Sequence, residues 1–375
     1  MNPSARDREY MTLALRLAAK GRGSTSPNPM VGAVVASGGR IVGQGSHRKP
    51  GGPHAEVLAL SQAGARAKGG TLYVTLEPCS HLKKRTPPCV PLVIRSGVRR
   101  VVVAMVDPNP LVSGRGIAQL KEAGISVVVG CGEQEAVQLN EAYCHWIKTG
   151  RPFTILKAGM TLDGKIATAV GESQWITDEA ARLHAHRLRA EVDAILVGVG
   201  TVLCDDPRLT VRLPNDPISA RRRQPLRVVV DSRLRIPSKA AVLEEQTLAH
   251  TLIATTGAAP IRKVAQLRRR GIDVLVLPKA GGRVDLSTLW ARFGQLGITS
   301  LLVEGGSEVN AAVLQAGLAQ RLMCYVAPLL LGGQDAKGLV GGRSPRRLRE
   351  ALPLKNLRIE PVGRDMLIQA DVINE

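Results

Sequence analysis

Apolar residues along the chain follow two alternating periods. Tyr10, Leu13, Ala14, Leu17 and Ala18 are spaced for one face of a helix, and Gly21 and Gly23 follow as a stop. Short aliphatic and β-branched runs then alternate with helical stretches. Val31–Val35, Thr71–Leu76, Val101–Met105 and Ser126–Val129 read as strands. Helical spacing predicts helices around His54–Ala63, Val90–Ser96, Gly116–Glu122 and Glu133–Trp146. Such alternation predicts an α/β domain, a central sheet covered by helices.

A second cycle begins after Lys148-Thr149-Gly150-Arg151-Pro152, where glycine and proline punctuate the chain. Strands are predicted at Phe153–Ala158, Ala194–Val199, Arg227–Asp231, Thr251–Ala254, Asp273–Leu277, Ser300–Val303 and Met323–Val326, while the basic, proline-containing Leu213–Gln224 reads as a surface loop. The expected organisation is one domain over 1–148 and a second over 151–375, in keeping with a chain of 375 residues. No period suggests a repeat array.

Composition narrows the class. With 44% hydrophobic and 22% charged residues the chain is ordinary globular protein. Aromatics at 2% leave aliphatic cores and argue against single-strand nucleic-acid binding, which relies on stacking platforms. The net charge of +20, with arginines clustered at Arg221–Arg223 and Arg268–Arg270, suits an anionic partner or substrate, or simply a solvated basic surface. The first residues lack the apolar stretch of a signal peptide, and no run reaches the roughly 18 apolar residues of a spanning helix. Six scattered cysteines do not form a disulfide framework. A soluble protein of a reducing cytoplasm is expected.

Four residues carry the strongest chemistry. His54-Ala55-Glu56 follows the turn Gly51-Gly52-Pro53, Glu77-Pro78-Cys79 ends the strand Thr71–Leu76, and Cys89 follows in Pro87-Pro88-Cys89. One imidazole and two thiolates make a three-ligand zinc set, the fourth position remaining for water, whose pKa zinc brings to near 7. Glu56, beside a ligand without being one, is placed to move a proton between water and a leaving amine. A His-x-Glu with a Pro-Cys partner is the pattern of zinc nucleobase deaminases. Each element alone is better read as a helix-start histidine or a buried thiol; their order and strand–helix context favour the metal. Cys131, Cys144, Cys204 and Cys324 lack such company and read as small core residues.

Spacing discriminates further. Nucleic-acid deaminases keep two residues between the cysteines, whereas here Ser80–Pro88 intervene, a polar, basic loop suited to an anionic substrate. Asn28, in Pro27-Asn28-Pro29, is placed to hydrogen-bond a pyrimidine edge. The C-terminal half has no G-x-G-x-x-G after a strand. Its best phosphate candidate is Leu301–Ser307, a strand ending in Gly305-Gly306 before a helical stretch Glu308–Leu314, although an ordinary strand–turn–helix connection has the same pattern.

Longer stretches resemble the bifunctional riboflavin-biosynthesis deaminase/reductase family of bacteria. They include Pro-Asn-Pro-Met-Val-Gly, Pro-His-Ala-Glu-Val, Tyr-Val-Thr-Leu-Glu-Pro-Cys-Ser-His, Arg-Thr-Pro-Pro-Cys and Asp-Pro-Asn-Pro, then Leu-Asp-Gly-Lys-Ile-Ala, Gly-Glu-Ser-Gln-Trp-Ile-Thr, Asp-Asp-Pro-Arg-Leu-Thr-Val-Arg and Val-Glu-Gly-Gly. The resemblance spans nearly the whole chain. It implies an α/β protein: an N-terminal cytidine-deaminase-like domain, with a central mixed sheet and helices on both faces, plus a C-terminal dihydrofolate-reductase-like domain. It also implies two steps, zinc-dependent hydrolytic deamination of 2,5-diamino-6-ribosylamino-4(3H)-pyrimidinone 5′-phosphate, then NADPH-dependent reduction of ribosyl to ribityl. By the match, His54, Cys79 and Cys89 bind zinc and Glu56 shuttles protons. Gly159, Trp175, Thr201, Asp205, Ser232, Gly305 and Gly306 line NADPH; Ser173, Arg189, Leu209, Arg212 and Glu304 hold the substrate, the arginines through bidentate phosphate contacts; Lys157 and Glu304 orient it for hydride transfer. Taken without the resemblance, Lys157 reads as a strand-end surface lysine and Trp175 as a core tryptophan. The chain departs from the family in the cysteine loop, where His81-Leu82-Lys83-Lys84-Arg85 is one residue longer than the usual His-His-Gly-Arg.

The expected partners are thus a phosphorylated pyrimidine and, in a homo-oligomer, further copies of this chain, with neither nucleic acid nor membrane. A nucleic-acid deaminase of the tRNA type with an accessory domain is the alternative, disfavoured by the long cysteine loop. A non-catalytic basic nucleic-acid-binding protein would leave the zinc set unexplained.

Overall fold

The computed structural model describes residues 3–80, 87–213 and 224–373. The chain forms two compact units, Met1–Gly150 and Arg151–Glu375. Unit 1 runs α1 (Ala5–Ala19), β1 (Gly32–Ser37), β2 (Arg40–Ser46), α2 (Ala55–Ala63), β3 (Thr71–Leu76), α3 (Cys89–Arg95), β4 (Arg100–Met105), α4 (Arg115–Glu122), β5 (Ser126–Val129), α5 (Glu133–Leu139) and α6 (Glu141–Thr149). Its sheet has the order β2-β1-β3-β4-β5. β1 is antiparallel to β2 and β3, and β3, β4 and β5 are parallel.

Strand alternation sends one set of side chains to each face. Val34, Ala36, Tyr73, Val102 and Ala104 pack with Tyr10, Met11 and Tyr143 of α1 and α6. Ala33, Val35, Leu72, Val74, Val101 and Val103 pack with residues of α2, α3 and α4, among them Ala59, Val93 and Leu120. The mixed sheet with helices on both faces is therefore as expected. β2 is an unpredicted addition, because Gly43 and Gly45 interrupt its apolar pattern. They are glycine because α2 crosses closely: a Cβ at Gly43 would lie 2.0 Å from the Ala59 carbonyl oxygen, and one at Gly45 2.2 Å from that of Ala55. The helix predicted over Glu133–Trp146 is two, broken at Asn140. The Asn140 side chain accepts from Met30 N–H at 2.7 Å and donates to the Met30 carbonyl at 3.0 Å.

Unit 2 runs β6 (Phe153–Thr161), β7 (Lys165–Ala167), α7 (Glu179–Arg189), β8 (Ala194–Gly198), α8 (Val199–Asp205), β9 (Leu226–Val230), β10 (Thr251–Thr256), α9 (Ile261–Arg269), β11 (Asp273–Leu277), β12 (Lys279–Ala280), β13 (Arg283–Val284), α10 (Leu286–Gln295), β14 (Ser300–Val303), α11 (Ser307–Gln315), β15 (Arg321–Ala327), β16 (Lys337–Gly338), β17 (Leu354–Val362) and β18 (Asp365–Val372). Nine strands order as β11-β10-β9-β8-β14-β6-β15-β18-β17. From β11 to β15 all neighbours are parallel; β18 and β17 close one side antiparallel. One face buries Leu196, Val228, Leu252 and Leu301 against Trp290 and Phe293 of α10. β17 and β18 were not expected: β17 lies at the edge with nearly every residue exposed, so no buried face imprints a period on its sequence. The chain winds from β8 outward to β11 and returns to insert β14 between β8 and β6, which makes the strand ends there a topological switch point. Cys131, Cys144 and Cys324 are buried as expected, whereas Cys204 is exposed on α8, correcting its reading as a core residue.

Candidate functional site

In unit 1 three elements converge. His54 is the extended residue immediately before α2, Cys79 follows β3 through Pro78, and Cys89 opens α3 after Pro88. His54 Nδ1 lies 3.5 Å from Cys79 Sγ and 3.2 Å from Cys89 Sγ, and the three ligand atoms all lie within 4.8 Å of one another. Zinc bonds of about 2.0–2.3 Å in a tetrahedron separate donors by about 3.5–3.8 Å, so this donor set fits zinc. Cys89 N–H points at Cys79 Sγ at 3.4 Å, a donor that favours the thiolate. Glu56, one residue into α2, is buried; burial, then the Cys79 charge, push its carboxyl above the usual range.

Beside the ligands Glu77 is buried and its carboxylate accepts from the N–H groups of Asp107, Gly114, Gly116 and Ile117 at 2.9–3.3 Å. It ties the end of β3, and with it Cys79, to the start of α4. Asn28 lies near the metal set through a histidine that the pattern of the sequence does not single out. Its Nδ2 is 3.0 Å from His47 Nε2, and His47 Nδ1 is 3.0 Å from the Pro53 carbonyl. A carbonyl only accepts, so Nδ1 carries the proton and Nε2 accepts from Asn28. That leaves Asn28 Oδ1 as the acceptor end of its carboxamide. The His47 and His54 rings meet edge to face at 5.4 Å. Of the cysteine loop, 81–86 lie outside the described residues, and so do Arg221–Arg223.

In unit 2 residues distant in sequence meet at the switch point. Glu304, just past β14, accepts from Arg189 Nε at 2.5 Å and Nη2 at 2.7 Å, and lies 3.8 Å from Lys157 Nζ. Burial raises a carboxyl, but the Arg189 and Lys157 charges overcome it and bring Glu304 down to about 2. Lys157 lies half-buried in the middle of β6, not a strand-end surface lysine, and desolvation lowers its pKa despite Glu304. Its ammonium sits 5.6 Å from the centre of the Tyr325 ring, whose hydroxyl is 2.7 Å from His184 Nδ1. Arg189 also donates from Nη1 to the Thr210 carbonyl at 3.3 Å. Its fork is therefore bidentate to Glu304.

The remaining expected positions surround these strand ends. Thr201 Oγ1 donates to the Gly305 carbonyl at 3.2 Å, and Ser173 Oγ to Asp205 Oδ1 at 2.9 Å. Gly305 and Gly306 have φ of 47° and 88°, and a Cβ at Gly306 would stand 3.1 Å from Thr201 Oγ1. The turn thus needs glycine, and it opens α11. Gly159 faces Thr177; Ser232, after β9, accepts from Val284 N–H at 3.0 Å. Trp175 is 65% exposed, correcting the core alternative, and the Arg182 guanidinium covers its ring at 4.7 Å. Leu209 is buried with φ 52°, and Arg212 follows it.

Comparison with known proteins decides the family. Residues 4–105 match the model of the cytidine and deoxycytidylate deaminase zinc-binding region, and residues 152–368 match that of the RibD C-terminal domain. The riboflavin biosynthesis protein RibD of Actinobacillus pleuropneumoniae is 44% identical, covering 98% of this chain and 96% of its own. The chain belongs to the RibD family. Among solved structures, RibD of Acinetobacter baumannii superposes with a TM-score of 0.88 at 38% identity, covering 98% of this chain and 99% of its own. A diaminohydroxyphosphoribosylaminopyrimidine deaminase/5-amino-6-(5-phosphoribosylamino)uracil reductase from Thermotoga maritima gives 0.84 at 34%, with 98% and 99% coverage. As a RibD chain it is a deaminase and a reductase of riboflavin biosynthesis, with a zinc-binding His/Cys/Cys site in one unit and an NADPH-dependent reductase in the other. Among the described residues no helix is long and apolar enough to cross a membrane.

The Asn28–His47 pair allows a test of whether Asn28 takes part in deamination. His47→Leu removes the Nε2 acceptor and leaves Asn28 able to turn. Loss of a buried hydrogen bond is worth about 1–3 kcal/mol, so kcat/KM for deamination is expected to fall about 5–150-fold with zinc content unchanged. Metal analysis alongside ammonia release checks both, and an unchanged kcat/KM overturns the orienting role.

Proposed function

We propose that the chain deaminates 2,5-diamino-6-ribosylamino-4(3H)-pyrimidinone 5′-phosphate at C2 and then reduces the ribosyl group of the product to ribityl. The observation that carries this reading is the pairing, in one chain, of the His54–Cys79–Cys89 donor set with the Lys157–Glu304–Arg189 cluster at a sheet switch point. His54, Cys79 and Cys89 would hold zinc, which supplies Lewis acidity toward water. Asn28 Oδ1 orients the pyrimidine. Glu56 takes a proton from the attacking water and returns it to the nitrogen that leaves as ammonia.

For the second step NADPH supplies the hydride. Gly159, Trp175, Thr201, Asp205, Ser232, Gly305 and Gly306 would line it, and the exposed face of Trp175 suits a flat ring. C1′ of the ribosyl group gains the hydride, and the ring oxygen released from C1′ gains a proton. Lys157, whose ammonium burial weakens, is the donor nearest that role; Glu304 keeps it in place. Ser173, Leu209 and Arg212 hold the substrate, with Arg212 facing the phosphate and Arg189 adding its charge through the pair with Glu304. A homo-oligomer in the cytoplasm completes the reading. The exposed Leu354, Leu357 and Ile359 on the edge strand β17 suit a second copy, and a thiolate metal site suits a reducing compartment.

The experiment supplies the diamino-pyrimidinone phosphate with and without NADPH, following ammonia and NADPH consumption. Ammonia release without NADPH, and NADPH consumption only after it, is expected. Chelation of zinc should abolish ammonia release yet spare reduction of the deaminated compound. No ammonia from a zinc-loaded sample would sink the deaminase half.

A further inference from the structure

The segment Leu209–Arg212 belongs to no sheet, yet its backbone groups are met one by one by side chains. Arg189 Nη1 donates to the Thr210 carbonyl at 3.3 Å. The Gln224 carboxamide takes both groups of Val211, accepting from its N–H at 2.8 Å and donating to its carbonyl at 3.3 Å. Arg212 N–H donates to His186 Nδ1 at 3.2 Å. His186 and Arg189 lie three apart on α7, hence on one face of the helix. A carboxamide that satisfies both backbone groups of one residue imitates a strand neighbour. Unit 1 uses the same arrangement on Met30, where Asn140 anchors the loop that carries Asn28.

The charges around the segment explain why it needs such fixing. Arg212 is exposed as a residue but its guanidinium is partly screened from water, and that screening together with the neighbouring Arg189 and Arg208 disfavours its charge. Glu304 is shared between Arg189 and Lys157 and offsets only part of this positive charge, so Arg212 stands in a positive field, which an anion relieves. A backbone free to move would let the guanidinium swing away from its neighbours. His186 is suited to the task because burial, then Arg189 and Arg212, hold its pKa down to about 4. It is therefore neutral at physiological pH, and its Nδ1 stays an acceptor.

We propose that His186 and Gln224 are positioning residues of the reductase site, fixing the Leu209–Arg212 backbone so that Arg212 is aimed at the substrate phosphate. This rests on the reading of Arg212 as the phosphate ligand, and the test separates the two. His186→Phe keeps volume without an acceptor, His186→Asn restores an acceptor, and Gln224→Ala removes the carboxamide. Reduction is followed with 5-amino-6-(5-phosphoribosylamino)uracil and with its dephosphorylated counterpart, and ammonia release by unit 1 of the same chains serves as the reference. His186→Phe and Gln224→Ala are expected to raise KM for the phosphorylated compound about tenfold, with kcat within about twofold. The dephosphorylated compound should show no added loss, and His186→Asn should recover most of the KM. A merely structural role would move both compounds alike, and that result overturns the proposal. If Arg212→Ala raises KM while His186→Phe and Gln224→Ala do not, the clamp fails and the phosphate reading stands. If Arg212→Ala leaves KM unchanged, the phosphate reading fails and the proposal with it.

Discussion

Glu56→Gln is expected to lower deamination by about 10²–10⁴-fold, the usual contribution of a positioned acid–base group, with zinc content unaltered. The argument rests on where Glu56 sits. His54, outside the helix proper, gives its ring to the metal set, and Glu56 two residues on enters the buried side of α2. Glutamine is the same size and keeps hydrogen bonding, but it cannot carry a proton from water to the leaving nitrogen. The variant also removes a buried charge that burial and the Cys79 thiolate already disfavour. The exchange relieves that unfavourable burial, and a fall in ammonia release with zinc retained reports chemistry. Reduction of the deaminated compound by the same chain should be unchanged, which guards against general damage. Full deamination by this variant would refute the proton-shuttle role even with zinc bound.

The metal centre was legible because its parts are local. A histidine at a helix start, a glutamate two residues on and a Pro-Cys after a strand mean little singly, but their order and spacing along one short stretch carry the reading without knowledge of the rest of the fold. What stayed hidden depends on contacts made at long range. Asn140 breaks a continuous helical pattern because its side chain serves Met30. β2 escaped notice since its glycines answer to α2 carbonyls, and β17 because an exposed edge has no apolar period. His47 is one of seven histidines and becomes meaningful only between Asn28 and Pro53. In unit 2 Lys157, Arg189 and Glu304 are scattered over nearly 150 positions, and only the return of β14 to the sheet centre brings them together. The resemblance to the family named them; periodicity alone left Lys157 on the surface.

Glu304→Gln should be the most damaging single change in unit 2, for stability as well as for reduction. Removing one partner of a buried ion pair leaves the other charge uncompensated, a loss of about 3–5 kcal/mol. Here two cations depend on the same carboxylate, Arg189 at 2.5 Å and Lys157 at 3.8 Å, and among the described residues the fork of Arg189 meets no second carboxylate. The pH dependence carries the sign. The folded protein holds Glu304 at about 2, below its ordinary 4.5. A lowered carboxyl pKa stabilises the fold fully above the unfolded value, and that contribution disappears as pH falls from about 4.5 toward 2. Urea unfolding of wild type and variant should therefore differ most at pH 7, and the difference should shrink progressively below pH 4.5. A gap that stays constant down to pH 3 would show that Glu304 acts through packing and not through its charge. Reduction should fall at every pH, because Lys157 loses the group that fixes its ammonium over Tyr325, while ammonia release continues in unit 1.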